Sequence, residues 1–129
     1  MINVRFRGKD KAGEWHYGDL AHGKTGKVFI RYWHGEGPLK LYRSIEVDPE
    51  TVGFSAGTRD KHGKTVFTGD YVLPNYGDAL LIYHRPFGMP TGDIEGMPLE
   101  RVEYIEEYCT VIGNVFDDSY LELKKRRRI

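Results

Sequence analysis

The amino-acid sequence predicts an all-β fold, with short helical turns at most and a small, barrel-like arrangement of strands. Three observations predict it. Apolar and polar residues alternate in several short segments, turn-forming residues separate these segments, and the periodicity is that of strands rather than helices. The chain has 129 residues, which suits one domain with a core that needs neither a disulfide nor a metal.

The N-terminal lobe, about residues 1–47, is predicted to contain four strands. The first alternates apolar and polar side chains, and the turn residues 10–13 join it to an aromatic second strand as a hairpin. The third and fourth are rich in aromatic and β-branched residues, which favour strands. The predicted strands are residues 2–7, 14–20, 27–33 and 39–47.

A glycine-rich connector, residues 48–70, follows the N-terminal lobe. It opens on a turn or single helical turn at Asp48–Thr51, because proline suits a first helical position. Glycine permits positive φ, so its recurrence every four to six residues predicts a tightly folded connector rather than a long helix. The recurring glycines are Gly53, Gly57, Gly63 and Gly69.

The C-terminal lobe, residues 71–123, completes the single domain predicted over residues 1–123. Its predicted strands are residues 71–73, 79–83 and 108–116. Three prolines and three glycines in residues 86–98 predict an exposed loop. Residues 99–107 fit a helix or a strand, because their glutamates share a helical face while Val102 and Tyr104 favour a strand.

The charge of the chain is uneven. The 19 Lys and Arg residues balance 19 Asp and Glu residues, but residues 1–123 hold only 14 of the basic residues, which leaves a net charge of −5 there. The other five form a basic tail within residues 124–129. Three interpretations of this tail are open: it contacts nucleic-acid phosphates, it stays solvated, or it pairs with acidic surface of its own subunit. The candidate nucleic-acid contacts are Lys124, Lys125, Arg126, Arg127 and Arg128.

Cysteine usage and hydropathy indicate the compartment. A single cysteine, Cys109, excludes an internal disulfide and suits a reducing environment, and its apolar neighbours predict that it is buried. The first residues lack an apolar signal core, and no apolar run is long enough to span a membrane. We therefore expect a cytoplasmic protein with no membrane association.

Two catalytic motifs match by letter but lack the context that their chemistry needs. Residues 18–25 fit the phosphate-binding pattern G-x-x-x-x-G-K-[ST], yet a β-prone segment follows instead of a helix, which predicts a hairpin loop. Residues 53–57 fit the nucleophile pattern G-x-S-x-G, but Ser55 lies in the connector rather than between a buried strand and a helix. The five histidines show no zinc-ligand spacing. We predict no catalytic, cofactor or metal site.

Three segments together suggest a family. The main one is the block from Val47 to Val72, which contains D-P-E-T-V-G, D-K-H-G-K and G-D-Y-V. Residues 5–7 with Trp15 and residues 111–118 accompany it. This set closely resembles the YopX family of phage and prophage proteins. Two departures from the family pattern are Ser55-Ala56 and His62.

The resemblance implies a small, mainly β protein of a phage or prophage, with no catalytic residues to carry over. The stretch Gly69-Asp70-Tyr71-Val72 also resembles the first strand of an SH3-like barrel, so an SH3-like C-terminal half is expected. The leading hypothesis is a non-enzymatic binding or assembly module. Exposed sheet edges and many aromatic residues favour a homo-oligomer, with a phage or host protein as a further partner.

The alternative is a nucleic-acid-binding β-barrel that uses its barrel, its basic tail or both. Aromatic strand residues stack on bases in such proteins, although they more often belong to the core; the candidates are Trp15, Tyr17, Tyr32 and Trp33. An enzyme is the third hypothesis, with Asp60, His62 and Asp70 of the connector as the residues to inspect.

Overall fold

The computed structural model of the chain describes residues 5–84, 95–119 and 121–123. Over these residues the mainly β prediction is confirmed, since nine strands form a five-stranded and a four-stranded sheet, both open. The described residues divide into two compact units, one within Asn3–Phe54 and the other within Ser55–Ile129. Three predicted features lie outside the described residues, in whole or in part: strand residues 2–4, loop residues 86–94 and the tail at 124–129.

The first unit is built on an antiparallel meander. Four of its strands match the predicted ones to within about three residues, an ordinary boundary error, and a fifth lies in the connector. The strands are β1 (Arg5–Lys9), β2 (Trp15–His22), β3 (Val28–His34), β4 (Leu41–Val47) and β5 (Gly53–Ser55). Their order in the sheet is β4-β3-β2-β1-β5.

One face of this first sheet forms the core of the unit. Val28 pairs with Val47, and Ile30 pairs with Ile45, so that alternate residues of β3 and β4 point to the same side. Tyr32 packs against the same cluster. Residues one position along each strand point to the opposite face, away from this core.

The turn Asp48–Thr51 fastens the connector to β1. Pro49–Thr51 form one 3-10 turn, as the sequence predicts, and Asp48 Oδ1 accepts a hydrogen bond from the Glu50 amide. Lys9 donates its amide to Thr51 Oγ1 and accepts from the Asp48 amide through its carbonyl, at 2.9 and 2.8 Å. The D-P-E-T sequence is therefore used for backbone structure.

The second unit carries a mixed sheet and a helix. Its elements are β6 (Asp70–Pro74), β7 (Leu80–Tyr83), β8 (Gly96–Pro98), α1 (Val102–Tyr108) and β9 (Cys109–Asn114). The sheet order is β8-β7-β6-β9, with β7 and β8 parallel. An SH3-like C-terminal half does not account for this parallel pair. Part of the ambiguous stretch 99–107 is helical and forms most of α1.

The strand β8 corrects the prediction of an exposed loop over residues 86–98. Met97 of β8 pairs with Ile82 and is buried. Proline and glycine signalled a loop, but pairing with β7 overrides that local signal at residues 96–98. No helix in the described part of the chain is both long and apolar enough to cross a membrane.

Two hairpin turns share one sequence pattern and one set of hydrogen bonds. The patterns are D-K-A-G-E at residues 10–14 and D-K-H-G-K at residues 60–64. In each, the aspartate Oδ1 accepts from the amides two and four residues later, at 2.9–3.0 Å. In each, the glycine has a φ near +85° and donates to the aspartate carbonyl. We call them the twin turns.

Candidate functional site

The phosphate-loop pattern at residues 18–25 has the hairpin structure that the sequence predicts. Its first five residues belong to β2, residues 24–26 form a 3-10 turn, and β3 follows at Val28. A phosphate-binding loop needs the amides of a helix N-terminus at that point. Residues 18–25 therefore have the sequence pattern of a phosphate-binding loop but not its backbone structure.

Ser55 is fully buried at the end of β5. Its Oγ accepts a hydrogen bond from the Gly57 amide at 3.2 Å, and Gly57 has a φ of +88°. The hydroxyl thus supports a tight turn, and its burial keeps it away from any substrate in solution.

The carboxylates of the connector are also engaged by the backbone. Asp60 is 5% exposed, and its Oδ2 accepts from the Val111 amide of β9 at 3.0 Å, in addition to the two bonds of its turn. Burial alone raises the pKa of Asp60, but the amides of Val111, Lys64 and His62 outweigh it, so the pKa lies below its ordinary value. Asp70 Oδ2 accepts from the Phe67 amide at 2.9 Å. These contacts give both residues structural roles.

A cluster that the sequence analysis missed lies at the other twin turn. The ligand-type atoms of Asp10, Glu14 and His16 lie within 4.8 Å of one another. His16 Nε2 is 2.7 Å from Asp10 Oδ2, and this hydrogen bond is the main cause that lowers the pKa of Asp10. Donors of this kind hold divalent cations in other proteins. Here the Asp10 oxygens already contact His16 and the turn amides, so the cluster closes the hairpin.

The most distinctive surface of the first unit is the sheet face opposite its core. On β3 and β4, Arg31 lies opposite Ser44 and Trp33 lies opposite Tyr42. Asp19 of β2 lies opposite Arg31, and alternation along β2 puts Tyr17 on the same face. We define the aromatic–basic face by five residues: Tyr17, Arg31, Trp33, Lys40 and Tyr42.

The large side chains of the aromatic–basic face are exposed. The exposed fractions are 59% for Trp33, 49% for Tyr42 and 41% for Tyr17. The Trp33 and Tyr42 rings form a cross-strand pair with centroids 4.9 Å apart, and Lys40 Nζ lies 5.3 Å from the Trp33 centroid. Large exposed aromatic groups in a cluster are typical of an interaction surface.

The same arrangement continues on the neighbouring strands. Trp15 lies opposite Lys9, and Tyr17 lies opposite Arg7. The Arg7 guanidinium is 4.7 Å from the Trp15 ring centroid, and Lys9 Nζ is 5.4 Å from it. Aromatic rings and cations are therefore neighbours on this side of the sheet, but Arg7 is buried, so the exposed part of the face lies on β2, β3 and β4.

The two units differ in net charge. Residues 5–54 hold nine Lys and Arg against seven Asp and Glu, a net of +2. The described residues of the second unit hold four against eleven, a net of −7. Asp19 and Glu46 also lie on the aromatic–basic face, opposite Arg31 and Phe29. The acidity of the chain before its tail is thus concentrated in the second unit.

The four aromatic residues that the sequence analysis proposed for base stacking differ in their exposure. Tyr17 and Trp33 are exposed on one face, Trp15 is half-buried beneath two cations, and Tyr32 packs against the core instead. Sequence reasoning missed Tyr42, whose role depends on its register opposite Trp33. No protein-family model matches this chain, and no curated protein matches it either.

Proposed function

We propose that this chain is a non-enzymatic binding module that holds single-stranded nucleic acid against the aromatic–basic face. One observation carries the proposal: Trp33 and Tyr42 pair with each other on an open sheet face, more than two-fifths exposed, beside Lys40. In an ordinary core, strand aromatics of this size are buried.

The chemistry of the face suits an unpaired strand. Each base stacked on an aromatic side chain contributes about 1–3 kcal/mol, and stacking tolerates every base because every base has a π-face. Arg31 and Lys40 supply cations on or beside the same face, and such cations bind the phosphates of a nucleic-acid strand. Duplex bases are already stacked on each other, so the aromatic–basic face favours single strands.

The wider proposal concerns the origin of the protein. The resemblance of residues 47–72 to the YopX hallmark supports a phage or prophage protein that works in the bacterial cytoplasm. The D-P-E-T and D-K-H-G-K segments have structural roles, which fits a hallmark that encodes a fold rather than a catalytic site. A homo-oligomer, which exposed sheet edges favour, remains part of this proposal.

The test measures binding to a fluorescently labelled oligo(dT) strand by anisotropy at low salt, with the same strand in a duplex for comparison. Trp33→Ala should weaken single-strand binding by about 5- to 150-fold, the equivalent of one lost stacking contact. Tyr76→Ala is the matched control, because Tyr76 is 91% exposed but belongs to the second unit. It should bind as the wild type does.

Two results contradict the proposal. One is the absence of any binding at low salt, which would favour a protein partner for the aromatic–basic face. The other is an equal effect of Trp33→Ala and Tyr76→Ala. A further measurement tests the role of charge. In Arg31→Gln, the slope of the logarithm of the binding constant against the logarithm of the salt concentration should be less steep by about 0.7, the single-strand value for one phosphate contact.

A further inference from the structure

The second unit carries an acidic cleft that the proposed function does not use. It lies along α1, is open to solvent and is lined by Glu100, Arg101, Glu103, Tyr104, Glu107 and Tyr108. We call it the acidic cleft. Its three glutamates outnumber its single arginine, and they belong to the unit whose described residues have a net charge of −7.

The acidic cleft combines carboxylates with aromatic faces. The Tyr104 and Tyr108 rings lie 5.2 Å apart, and the Arg101 guanidinium is 5.7 Å from the Tyr104 centroid. A guanidinium thus already lies against an aromatic ring of this cleft. Further arginines and lysines suit such a surface, because they gain both ion pairs and contacts with ring faces.

The chain itself contains a segment that is rich in the arginines and lysines that suit the acidic cleft. Residues 124–128 are Lys-Lys-Arg-Arg-Arg, with five positive charges. They follow Leu123, which is buried; a Cβ at Gly113 of β9 would lie 3.4 Å from Leu123 Cδ1. Leu123, the residue before the tail, thus lies near the C-terminal end of β9, the strand that directly follows α1.

The lengths match. Gly113 is four positions after Cys109 in β9, which corresponds to about 13 Å along the strand. Five extended residues span at most about 17 Å. A tail that starts beside Gly113 therefore reaches the C-terminal end of α1, where Glu107 and Tyr108 lie.

We propose that the basic tail, residues 124–128, binds the acidic cleft of its own chain. Attachment to the same chain gives the tail a high effective concentration at the cleft, which a separate peptide lacks. The tail is then neutralised by its own subunit. Nucleic-acid binding at the aromatic–basic face does not depend on it, so either proposal can fail without the other.

Paramagnetic relaxation enhancement in the full-length protein tests this. A spin label is attached to Ile129→Cys under native conditions, in which the fully buried Cys109 is protected from the reagent. The amide signals of Glu103 and Glu107 should be broadened. The double variant Glu103→Gln/Glu107→Gln should lower the docked-to-free ratio by about 2- to 30-fold, because it removes two exposed ion pairs that each contribute up to about fivefold.

The controls make every outcome decisive. Glu14→Gln/Glu36→Gln neutralises two exposed acids of the first unit and should leave the broadening unchanged. Broadening that is as strong in Glu103→Gln/Glu107→Gln as in the wild type, or no broadening in the wild type at low salt, overturns the proposal. Labelled protein mixed with isotope-labelled, spin-free protein reports on contacts between chains. Broadening in that mixture assigns the acidic cleft to the tail of a second copy and also overturns it.

Discussion

The twin turns permit a prediction that compares the same substitution at two equivalent positions. Asp10→Ala and Asp60→Ala each remove an aspartate that accepts two amides within its own turn, at matching distances. Only Asp60 also accepts the Val111 amide, 51 residues away. Asp10→Ala loses instead the contact of Asp10 Oδ2 with His16, so the two variants compare a buried long-range bond with a partly exposed bond inside one hairpin.

The magnitude follows from the third hydrogen bond. A bond to a charged acceptor contributes about 1.5–3 kcal/mol, and a desolvated amide left without a partner costs a similar amount. We expect Asp60→Ala to lower the free energy of unfolding by about 3 kcal/mol, which corresponds to a fall in Tm of roughly 10–15 °C for a domain of this size. Asp10 is partly exposed and its contacts all lie within its own hairpin, so Asp10→Ala should cost less, about a third of that loss.

Thermal unfolding followed by far-ultraviolet circular dichroism measures both variants, because it reports on strands throughout the chain. A Tm of Asp60→Ala within a few degrees of the wild type would refute the structural role of the Val111 bond. A loss in Asp10→Ala as large as in Asp60→Ala would refute the claim that the long-range contact distinguishes the twin turns.

Three further predictions concern single residues. The folded state lowers the pKa of Asp60. The ionised carboxylate therefore stabilises the fold above the ordinary carboxyl pKa, and this stabilisation is lost as pH falls through the folded pKa. In denaturant titrations, the difference in unfolding free energy between the wild type and Asp60→Asn should shrink below about pH 4. Gly18→Ala would place a Cβ 2.2 Å from the Arg31 carbonyl oxygen, so equilibrium unfolding should show a loss of about 2 kcal/mol or more, and an unchanged midpoint would contradict the β2–β3 geometry. Burial raises the pKa of the Cys109 thiol, so a disulfide reagent at mild alkaline pH should modify it only after denaturation, whereas fast native labelling would contradict its burial.

The sequence predicted those elements whose signals are local. Alternation located β1, because a strand that covers one side of a core has period two, and aromatic and β-branched residues located β2, β3 and β4. These signals missed β5 and β8, which have three residues each and exist through pairing with other strands. Residues 96–98 illustrate this, since Met97 is buried only through its register beside Ile82.

The candidate site was predictable in part for the same reason. Tyr17 and Trp33 were identifiable as aromatic strand residues, but their separation from Tyr32 depends on which side of β3 faces the core. The contribution of Tyr42 depends on cross-strand register, which a single sequence does not specify. The twin turns were visible as the repeated letters D-K-x-G, yet they recur without a fixed period and only their hydrogen bonds reveal the shared structure.

The central claim is that the aromatic–basic face contacts single-stranded nucleic acid. Photochemical crosslinking of the wild-type protein to an oligonucleotide with halogenated uracils, followed by peptide mass spectrometry, tests it most directly, because such bases crosslink to the aromatic side chains on which they stack. The account predicts crosslinks at Trp33, Tyr42 or Tyr17. Crosslinks confined to the second unit, or no crosslink under conditions in which the strand is bound, would contradict it.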